Sequence, residues 1–117
     1  MLAAHYQLDN LVAFVDHNGL QIDGRCLEVM STEPIAERWR AFGWAVQEND
    51  GHDMPQILQA LTKARETKGK PSLIVANTVK GKGVSFMEDQ VGWHGTAPNR
   101  EQTEQALAEL EAGTDGR

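Results

Sequence analysis

Cysteine is nearly absent from this sequence, which contains a single one, Cys26, among 117 residues. One cysteine cannot close an internal disulfide, and no Cys/His spacing typical of a zinc site surrounds it. We therefore interpret Cys26 as a small apolar residue or a loop residue. The composition favours a reducing compartment, and we expect a cytoplasmic protein.

Long apolar runs and basic clusters are also missing. No stretch approaches about 18 consecutive apolar residues, the length that a membrane-spanning helix needs. The N-terminus, MLAAHYQLDN, lacks the basic and apolar regions of a secretory signal. The formal net charge is −6, and Lys and Arg occur only as scattered residues and pairs. The sequence therefore argues against a membrane protein and against general nucleic-acid binding.

What the sequence does contain is an alternation of short apolar runs and amphipathic stretches. Strands are predicted where a run is short and apolar or β-branched, at residues 11–16, 44–49 and 72–79. Helices are predicted where apolar residues recur at helical spacing between capping signals, at residues 31–43, 51–69 and 100–110. Strands that alternate with helices are typical of βαβ units, so the sequence predicts an α/β fold with a parallel sheet.

Individual residues mark the ends of these helices. Gly43 is predicted to follow the first helix as its terminating glycine. Asp53 is predicted to cap the second helix with Gln56 as its capping-box partner, and Asn99 to cap the third. Residues 2–6 resemble the last turns of a helix that has no capping residue before it. Together with the small predicted sheet, this leads us to expect that an upstream part of the domain is not in this chain.

The loop after the first predicted strand contains the stretch DHNGLQIDG. Asn18-Gly19 is a strong turn signal, and a plain turn is one interpretation. A cation site is the other, because the Asn18 side-chain oxygen and the Leu20 carbonyl are hard ligands that suit Mg²⁺ or Ca²⁺. The ligand spacing of an EF-hand loop is absent. In an open α/β sheet this loop lies beyond the carboxyl end of a strand, where ligands bind.

A second loop, residues 80–99, lies beyond the third predicted strand and contains four glycines. Glycines allow the backbone to approach a phosphate, although the P-loop motif is absent. Lys80 and Lys82 are interpreted as solvated side chains. His94, between Trp93 and Gly95, is either a loop histidine or a donor to a phosphate or a sugar hydroxyl.

Four stretches, in the same order along the chain, resemble the transketolase family: LDNLVAFVDHNGLQIDG, AFGWAVQENDGHD, KPSLIVANTVKGKGVSFME and WHGTAPN. The resemblance is greatest to the N-terminal subunit of split transketolases. It implies a three-layer, parallel-sheet thiamine diphosphate-binding fold, with residues 1–112 as the C-terminal part of the diphosphate-binding domain and residues 113–117 as a tail. It also implies transfer of a two-carbon ketol unit between sugar phosphates in the pentose phosphate pathway, with thiamine diphosphate supplying the carbanion chemistry.

The resemblance further implies roles for four residues. Asn18 matches the asparagine whose side-chain oxygen binds Mg²⁺ or Ca²⁺, and Leu20 matches the residue whose backbone carbonyl is a second ligand. Ile22 matches a residue that packs against the cofactor. His94, in WHG, matches a histidine that contacts the diphosphate and helps to orient the substrate, so it is the predicted catalytic residue.

One motif of the family is missing from the chain. The GDG sequence, whose aspartate is a further metal ligand, does not occur and would lie before Met1. The glutamate that activates the cofactor belongs to the pyrimidine-binding domain, which is the other subunit in split enzymes. We therefore expect an oligomeric assembly with a C-terminal (pyrimidine-binding) transketolase subunit. For this chain alone we expect weak or no cofactor binding and no turnover.

Two alternatives stay open at this point. The chain could be a non-catalytic α/β interaction module that keeps the fold without the site. It could also belong to another thiamine diphosphate enzyme, such as 1-deoxyxylulose-phosphate synthase or the thiamine subunit of a 2-oxo-acid dehydrogenase. The combination of NGLQIDG, GHD and WHG favours transketolase, and the match of Asn18 and His94 favours an enzyme.

Overall fold

The computed structural model describes residues 1–114, so residues 115–117 of the predicted tail lie outside the described range. The helices are α1 (Leu2–His5), α2 (Cys26–Val29), α3 (Ile35–Ala41), α4 (Met54–Glu66) and α5 (Arg100–Thr114). The strands are β1 (Val12–His17), β2 (Leu20–Gln21), β3 (Gly24–Arg25), β4 (Ala45–Asp50) and β5 (Ser72–Asn77). None of the helices in this range has the length and apolar character that crossing a membrane requires.

The described residues form two compact units. Residues 1–17 and 32–78 form the first, which we call the sheet unit because it contains β1, β4 and β5. Residues 18–31 and 79–114 form the second. We call this second unit the loop unit, and it contains β2, β3, α2, α5 and a 3₁₀ turn at Val91–Trp93.

The sheet unit is built on three parallel strands in the order β1-β5-β4. Ser72, at the start of β5, lies opposite a residue of each neighbouring strand, and the pairing runs in register to Asn77, opposite His17 and Asp50. The carboxyl ends of these strands therefore meet at one edge of the sheet. This arrangement confirms the predicted parallel α/β architecture.

The core of the sheet unit is centred on β5. Residues 71–76 are all buried, and Leu73 and Ile74 are fully inaccessible to solvent. A strand buried on both faces has a continuous apolar run rather than an alternating one, which is the pattern that predicted this strand. Helix α4 contacts both β4 and β5, and its buried residues are Ala60 and Ala64. Their small side chains allow the helix to pack closely on the sheet.

Apolar side chains remain exposed beside β1 and α3. Phe14 of β1 is 50% exposed, and Phe42, just after α3, is 48% exposed. Trp39 and Trp44 meet edge to face, with ring centroids 4.7 Å apart, and line an open apolar cavity of about 610 Å³. The sheet unit therefore leaves part of its apolar surface uncovered by the described residues.

The predicted helix boundaries needed correction where proline or local capping intervened. Helix α3 begins at Ile35 rather than at residue 31, because Pro34 occupies the N-cap in an extended conformation and the residue before a proline disfavours the helical region. Gly43 follows α3 with a φ of 87°, as predicted. Asp53 caps α4 as predicted, with its Oδ1 accepting the Gln56 N–H at 2.9 Å, but the helix begins at Met54 and ends at Glu66.

The loop unit is fastened by α5. Asn99 Oδ1 accepts the N–H of Gln102, and Gln102 Oε1 accepts the N–H of Asn99, each at 2.9 Å. This reciprocal cap confirms the predicted start of the helix, which continues to Thr114 rather than ending at residue 110. Glu109 accepts the backbone N–H and the hydroxyl of Ser85. These bonds join the segment after β5 to the helix.

Candidate functional site

Polar side chains of the sheet unit form a network at the carboxyl ends of β1 and β5. His17 Nδ1 lies 2.8 Å from Asn77 Oδ1, and His17 Nε2 lies 2.6 Å from Glu33 Oε1. The Thr78 hydroxyl donates to the Asp16 carboxylate. This network fixes the last residues of β1, and Asn18 is the next residue along the chain.

The loop after β4 approaches the end of β5 closely. The Gly51 N–H donates to the Asn77 carbonyl at 2.7 Å. A Cβ atom on Gly51 would lie 2.4 Å from Thr78 Cγ2, which is closer than side-chain atoms approach one another. A larger residue at this position would therefore force Thr78 or the backbone to shift. The His52 N–H donates to Asp50 Oδ1 at 2.8 Å, so the backbone of this histidine belongs to the turn that leads into α4.

In the loop unit, the predicted turn at Asn18-Gly19 is present and is stabilised by its own side chain. Asn18 Oδ1 accepts the N–H of Leu20 at 3.0 Å, which is the bond of an Asx turn. Gly19 has a φ of 72°, and its carbonyl accepts the N–H of Cys26 at 2.9 Å. The Asn18 oxygen is thus fixed in position and retains a lone pair for a second partner.

Three of the four predicted site residues line one small cavity of the loop unit. The cavity has a volume of about 130 Å³ and is lined by Asn18, Leu20, Gln21, Lys80, Val91 and His94. A water molecule takes up about 30 Å³ in the liquid, so this space is large enough for a group of several non-hydrogen atoms. Ile22 lies in the turn between β2 and β3, is 65% exposed and is not among the lining residues. Its packing against a cofactor stays a prediction.

Sequence reasoning did not identify Gln21, Lys80 and Val91 as lining residues. The sequence predicts a solvated side chain for Lys80, whereas in the structure Lys80 is only partly exposed and lines the cavity. Gln21 Nε2 is buried and has no hydrogen-bond partner among the described residues. The sequence feature that could have indicated Lys80 as a site residue is its position at the start of a glycine-rich loop after a strand. Gln21 gave no comparable signal.

His94 is positioned by a compact turn. Its backbone N–H donates to the Val91 carbonyl at 3.0 Å. The adjacent Trp93 donates its indole N–H to the Phe86 carbonyl at 2.9 Å. The rings of Trp93 and Phe86 also lie close together, with their centroids 5.5 Å apart. Trp93 therefore packs within its own unit, while the neighbouring imidazole is left exposed beside the cavity.

An ion pair ties the β2–β3 hairpin to the segment that carries Lys80. Arg25 donates to the Asp89 carboxylate at 2.5 Å, and the Asp89 N–H donates to the Lys80 carbonyl at 2.9 Å. The hydrogen bond and the negative charge of Asp89 raise the pKa of Arg25. Arg25 therefore stays charged, and the two walls of the cavity are joined through Asp89.

The cavity residues fit a diphosphate accompanied by a divalent cation. Asn18 Oδ1 and the Leu20 carbonyl are oxygen ligands of the type that Mg²⁺ and Ca²⁺ prefer. Lys80 and His94 supply donors for anionic oxygens. Among residues 1–114, no group of three or more His, Cys, Asp or Glu side chains could hold a metal ion by itself. A cation here would depend on the amide and carbonyl oxygens and on the bound anion.

Comparison with known proteins gives a consistent family assignment. The sequence matches the family described as "Transketolase, thiamine diphosphate binding domain" over residues 1–115. It is 46% identical over 111 residues to the 6-deoxy-6-sulfo-D-fructose transketolase subunit SqwG of Clostridium sp. (strain MSTE9), covering 95% of this chain and 40% of that protein. It is 46% identical over 110 residues to an apulose-4-phosphate transketolase subunit of Phocaeicola vulgatus, covering 94% of this chain and 39% of that protein.

The fold is likewise similar to solved structures. The transketolase from Campylobacter jejuni subsp. jejuni superposes with a TM-score of 0.87 at 31% sequence identity, covering 94% of this chain and 17% of that chain. The described chain thus spans about two fifths of the length of the two subunits and about one sixth of the Campylobacter protein.

Proposed function

The chain belongs to the transketolase family, within its thiamine diphosphate binding domain, and from this membership we propose that it binds the diphosphate end of the cofactor with a divalent cation. In this proposal the chain is one part of an enzyme that transfers a two-carbon ketol unit between sugar phosphates. Thiamine diphosphate supplies the carbanion chemistry of that transfer when it is bound.

The observation that carries the proposal is the cavity of the loop unit. The family resemblance assigns Asn18, Leu20 and His94 to the cofactor site. His94 is far from the other two in sequence, yet all three line the same cavity of about 130 Å³. Lys80 joins them as a positive charge. A plain turn does not need cation ligands and anion donors that lie together in one cavity.

We assign distinct tasks to these residues. Asn18 Oδ1 and the Leu20 carbonyl hold Mg²⁺ or Ca²⁺, and Lys80 offsets the charge of the diphosphate. His94 donates to a diphosphate oxygen and, being exposed, also reaches a substrate hydroxyl. Ile22, on the exposed turn between β2 and β3, packs against the cofactor.

The complete reaction requires more protein than this chain. The two relatives described above are themselves named as transketolase subunits, and the chain spans about two fifths of their length. We propose a C-terminal, pyrimidine-binding transketolase subunit or domain as the partner, in an oligomeric assembly. The chain alone is expected to bind the cofactor weakly and to catalyse no turnover, because one amide and one carbonyl satisfy only part of an octahedral Mg²⁺ shell.

The proposed substrate class is supported by the same membership. The two relatives are named for 6-deoxy-6-sulfo-D-fructose and for apulose-4-phosphate. For this chain we propose sugar phosphates, with the pentose phosphate pathway as the corresponding metabolic setting and the cytoplasm as the compartment.

The test is a ³¹P NMR titration of thiamine diphosphate in the presence of Mg²⁺. We expect the two diphosphate resonances to broaden and shift on addition of the chain, with a dissociation constant on the order of 1 mM, equivalent to about −4 kcal/mol. Asn18→Ala and His94→Ala should each weaken the effect about tenfold, whereas Asn10→Ala, in the exposed turn before β1, should not. Unchanged resonances with the wild-type chain would mean that the cavity residues do not hold the diphosphate in this chain, and would contradict the proposed site.

A further inference from the structure

Arg25 and Asp89 form an ion pair between two segments of the loop unit that are far apart in the sequence. Arg25 Nη2 donates to Asp89 Oδ2 at 2.5 Å across a sequence separation of 64 residues. The two side chains are 55% and 47% exposed. An ion pair at this exposure usually contributes little to the stability of a fold. Its importance therefore depends on what the two residues hold in place.

The backbone connects each partner of this pair to a residue that lines the cavity. Arg25 of β3 lies directly opposite Leu20 of β2. The Asp89 N–H donates to the Lys80 carbonyl at 2.9 Å. Leu20 and Lys80 both line the cavity, whereas Arg25 and Asp89 do not. The ion pair therefore joins two lining residues without being part of the lining.

The segment between Lys80 and Asp89 is closed on itself, so its two ends are held together. Gly81 has a φ of 73°, and a Cβ atom there would lie 2.6 Å from the Met87 carbonyl oxygen. Asp89 has a φ of 54°, in the left-handed region that aspartate adopts more readily than most residues. In this conformation its N–H bonds to the Lys80 carbonyl and its carboxylate to Arg25. A displacement of Asp89 would therefore move Lys80 as well.

We propose that Arg25 and Asp89 are positioning residues, whose ion pair holds Lys80 at a fixed distance from the predicted cation ligands. This inference rests on the proposed function and adds to it two residues outside the resemblance to the family. Binding a diphosphate together with its cation requires anion donors and cation ligands at one particular separation. A site that has this separation before binding loses less conformational freedom when the ligand enters, and therefore binds more tightly.

A direct electrostatic effect on the anion is the alternative, and it has the opposite sign for one of the two residues. If charge alone mattered, loss of the Arg25 guanidinium would weaken the binding of an anion, and loss of the Asp89 carboxylate would strengthen it. If the pair acts through position, loss of either partner weakens binding, and loss of both has no further effect. The sign of the Asp89 effect therefore separates the two explanations.

The experiment measures the binding of inorganic pyrophosphate with Mg²⁺ to the full chain by ³¹P NMR. Arg25→Met removes the positive charge, and Asp89→Asn removes the negative charge while tolerating the same backbone conformation. We expect each single variant and the double variant to bind about fivefold more weakly than the wild type. Arg25→Lys should bind within about twofold of the wild type, because only one N–H bond has to be replaced. Arg100→Met, which breaks the exposed ion pair with Glu104 on α5, is the matched control and should bind as the wild type does.

A backbone resonance tests whether the effect reaches Lys80. The Gly81 nitrogen is bonded to the Lys80 carbonyl carbon, so its amide resonance in the ¹⁵N-labelled chain responds to the hydrogen bond of that carbonyl. Without ligand, we expect this resonance to shift in Arg25→Met and to stay in place in Arg25→Lys and Arg100→Met. A role in overall stability alone would lower Tm and leave the Gly81 resonance in place, and that result would overturn the inference.

The possible results separate this inference from the proposed function. If the wild type binds pyrophosphate and both Arg25→Met and Asp89→Asn bind it equally well, the inference is overturned and the proposed function stands. The same conclusion follows if Asp89→Asn binds more tightly than the wild type, or if Arg100→Met is weakened as much as Arg25→Met. If the wild type does not bind pyrophosphate, both are overturned. Should Arg25→Met fail to fold, Asp89→Asn decides through the sign of its effect.

Discussion

Asn18 allows its structural bond to be separated from its proposed role as a cation ligand, because two substitutions affect them differently. In Asn18→Ala the oxygen that accepts the Leu20 N–H at 3.0 Å is lost together with the proposed ligand. In Asn18→Asp an oxygen remains for the turn, since aspartate also forms Asx turns, and the ligand becomes a carboxylate.

The expected effects on stability follow from that single hydrogen bond. Its loss in Asn18→Ala should lower the free energy of unfolding by about 0.5–1.5 kcal/mol, the net value of one such bond. In a chain of this size about 1 kcal/mol corresponds to a decrease of roughly 4 °C in Tm. Asn18→Asp should unfold within about 0.5 kcal/mol of the wild type, the usual range for a substitution that breaks no buried contact.

The expected effects on binding run differently. Asn18→Ala should weaken Mg²⁺-dependent pyrophosphate binding about tenfold, which corresponds to about 1.4 kcal/mol. Asn18→Asp should retain binding in Mg²⁺, since a carboxylate is a good ligand for this cation. Without Mg²⁺ the new negative charge should abolish any residual pyrophosphate binding. Thermal unfolding by circular dichroism gives the first comparison, and ³¹P NMR with and without Mg²⁺ gives the second.

Asn10→Ala and Asn10→Asp are the matched controls, because Asn10 is exposed and lies in the turn before β1. Neither should change binding. The reasoning would be refuted if Asn18→Ala bound pyrophosphate in Mg²⁺ as tightly as the wild type did. It would also be refuted if Asn18→Asp lost binding in Mg²⁺ while its Tm stayed unchanged.

Three further predictions concern the framework of the two units. Leu73→Ala, at a fully buried site on β5, should lower the free energy of unfolding by about 2–5 kcal/mol in urea denaturation; an effect below about 1 kcal/mol would contradict the assigned core. Gly51→Ala should lower the free energy of unfolding by about 1–3 kcal/mol, because its Cβ would lie 2.4 Å from Thr78 Cγ2. Gly95→Ala, with open space around it and no positive φ, is the control for the loss of a glycine. The backbone N–H of Ser85, followed by the Gln105 side chain and the Ser85 hydroxyl, lowers the pKa of Glu109 below its usual value of 4.5. The stabilisation by Glu109 is therefore present above pH 4.5 and is lost as the pH falls through the lowered pKa. The difference in free energy of unfolding between wild type and Glu109→Gln should therefore shrink on acidification. A difference that grew would contradict the assigned hydrogen bonds.

The parts of the fold that could be predicted were those with a strong local signal. The apolar run of β5 identified a strand buried on both faces, and Asp53 and Asn99 identified helix starts through their capping partners. The start of α3 was predicted too early because Ser31 and Thr32 have the chemistry of capping residues. Pro34, which follows them, overrode that signal through its effect on the preceding backbone.

The sequence could not supply the strand order or the complete cavity. Nothing local in 72–77 indicates that β5 lies between β1 and β4, because that order depends on long-range pairing. Asn18 and His94 could be selected because the family resemblance marked them. Gln21 and Lys80 could not, since a glutamine on a short strand and a lysine at the start of a loop are common solvated residues, and only the folded loop unit gives them a shared cavity.

The central claim is that the cavity of the loop unit holds a divalent cation together with a diphosphate. Its most direct test adds trace Mn²⁺ to the ¹⁵N-labelled chain with thiamine diphosphate and records the paramagnetic broadening of each backbone amide. The account predicts that the resonances of Asn18, Leu20 and His94 broaden first, and only when thiamine diphosphate is present. Broadening confined to exposed carboxylates such as Asp23 or Glu101, with the cavity amides unaffected, would contradict it.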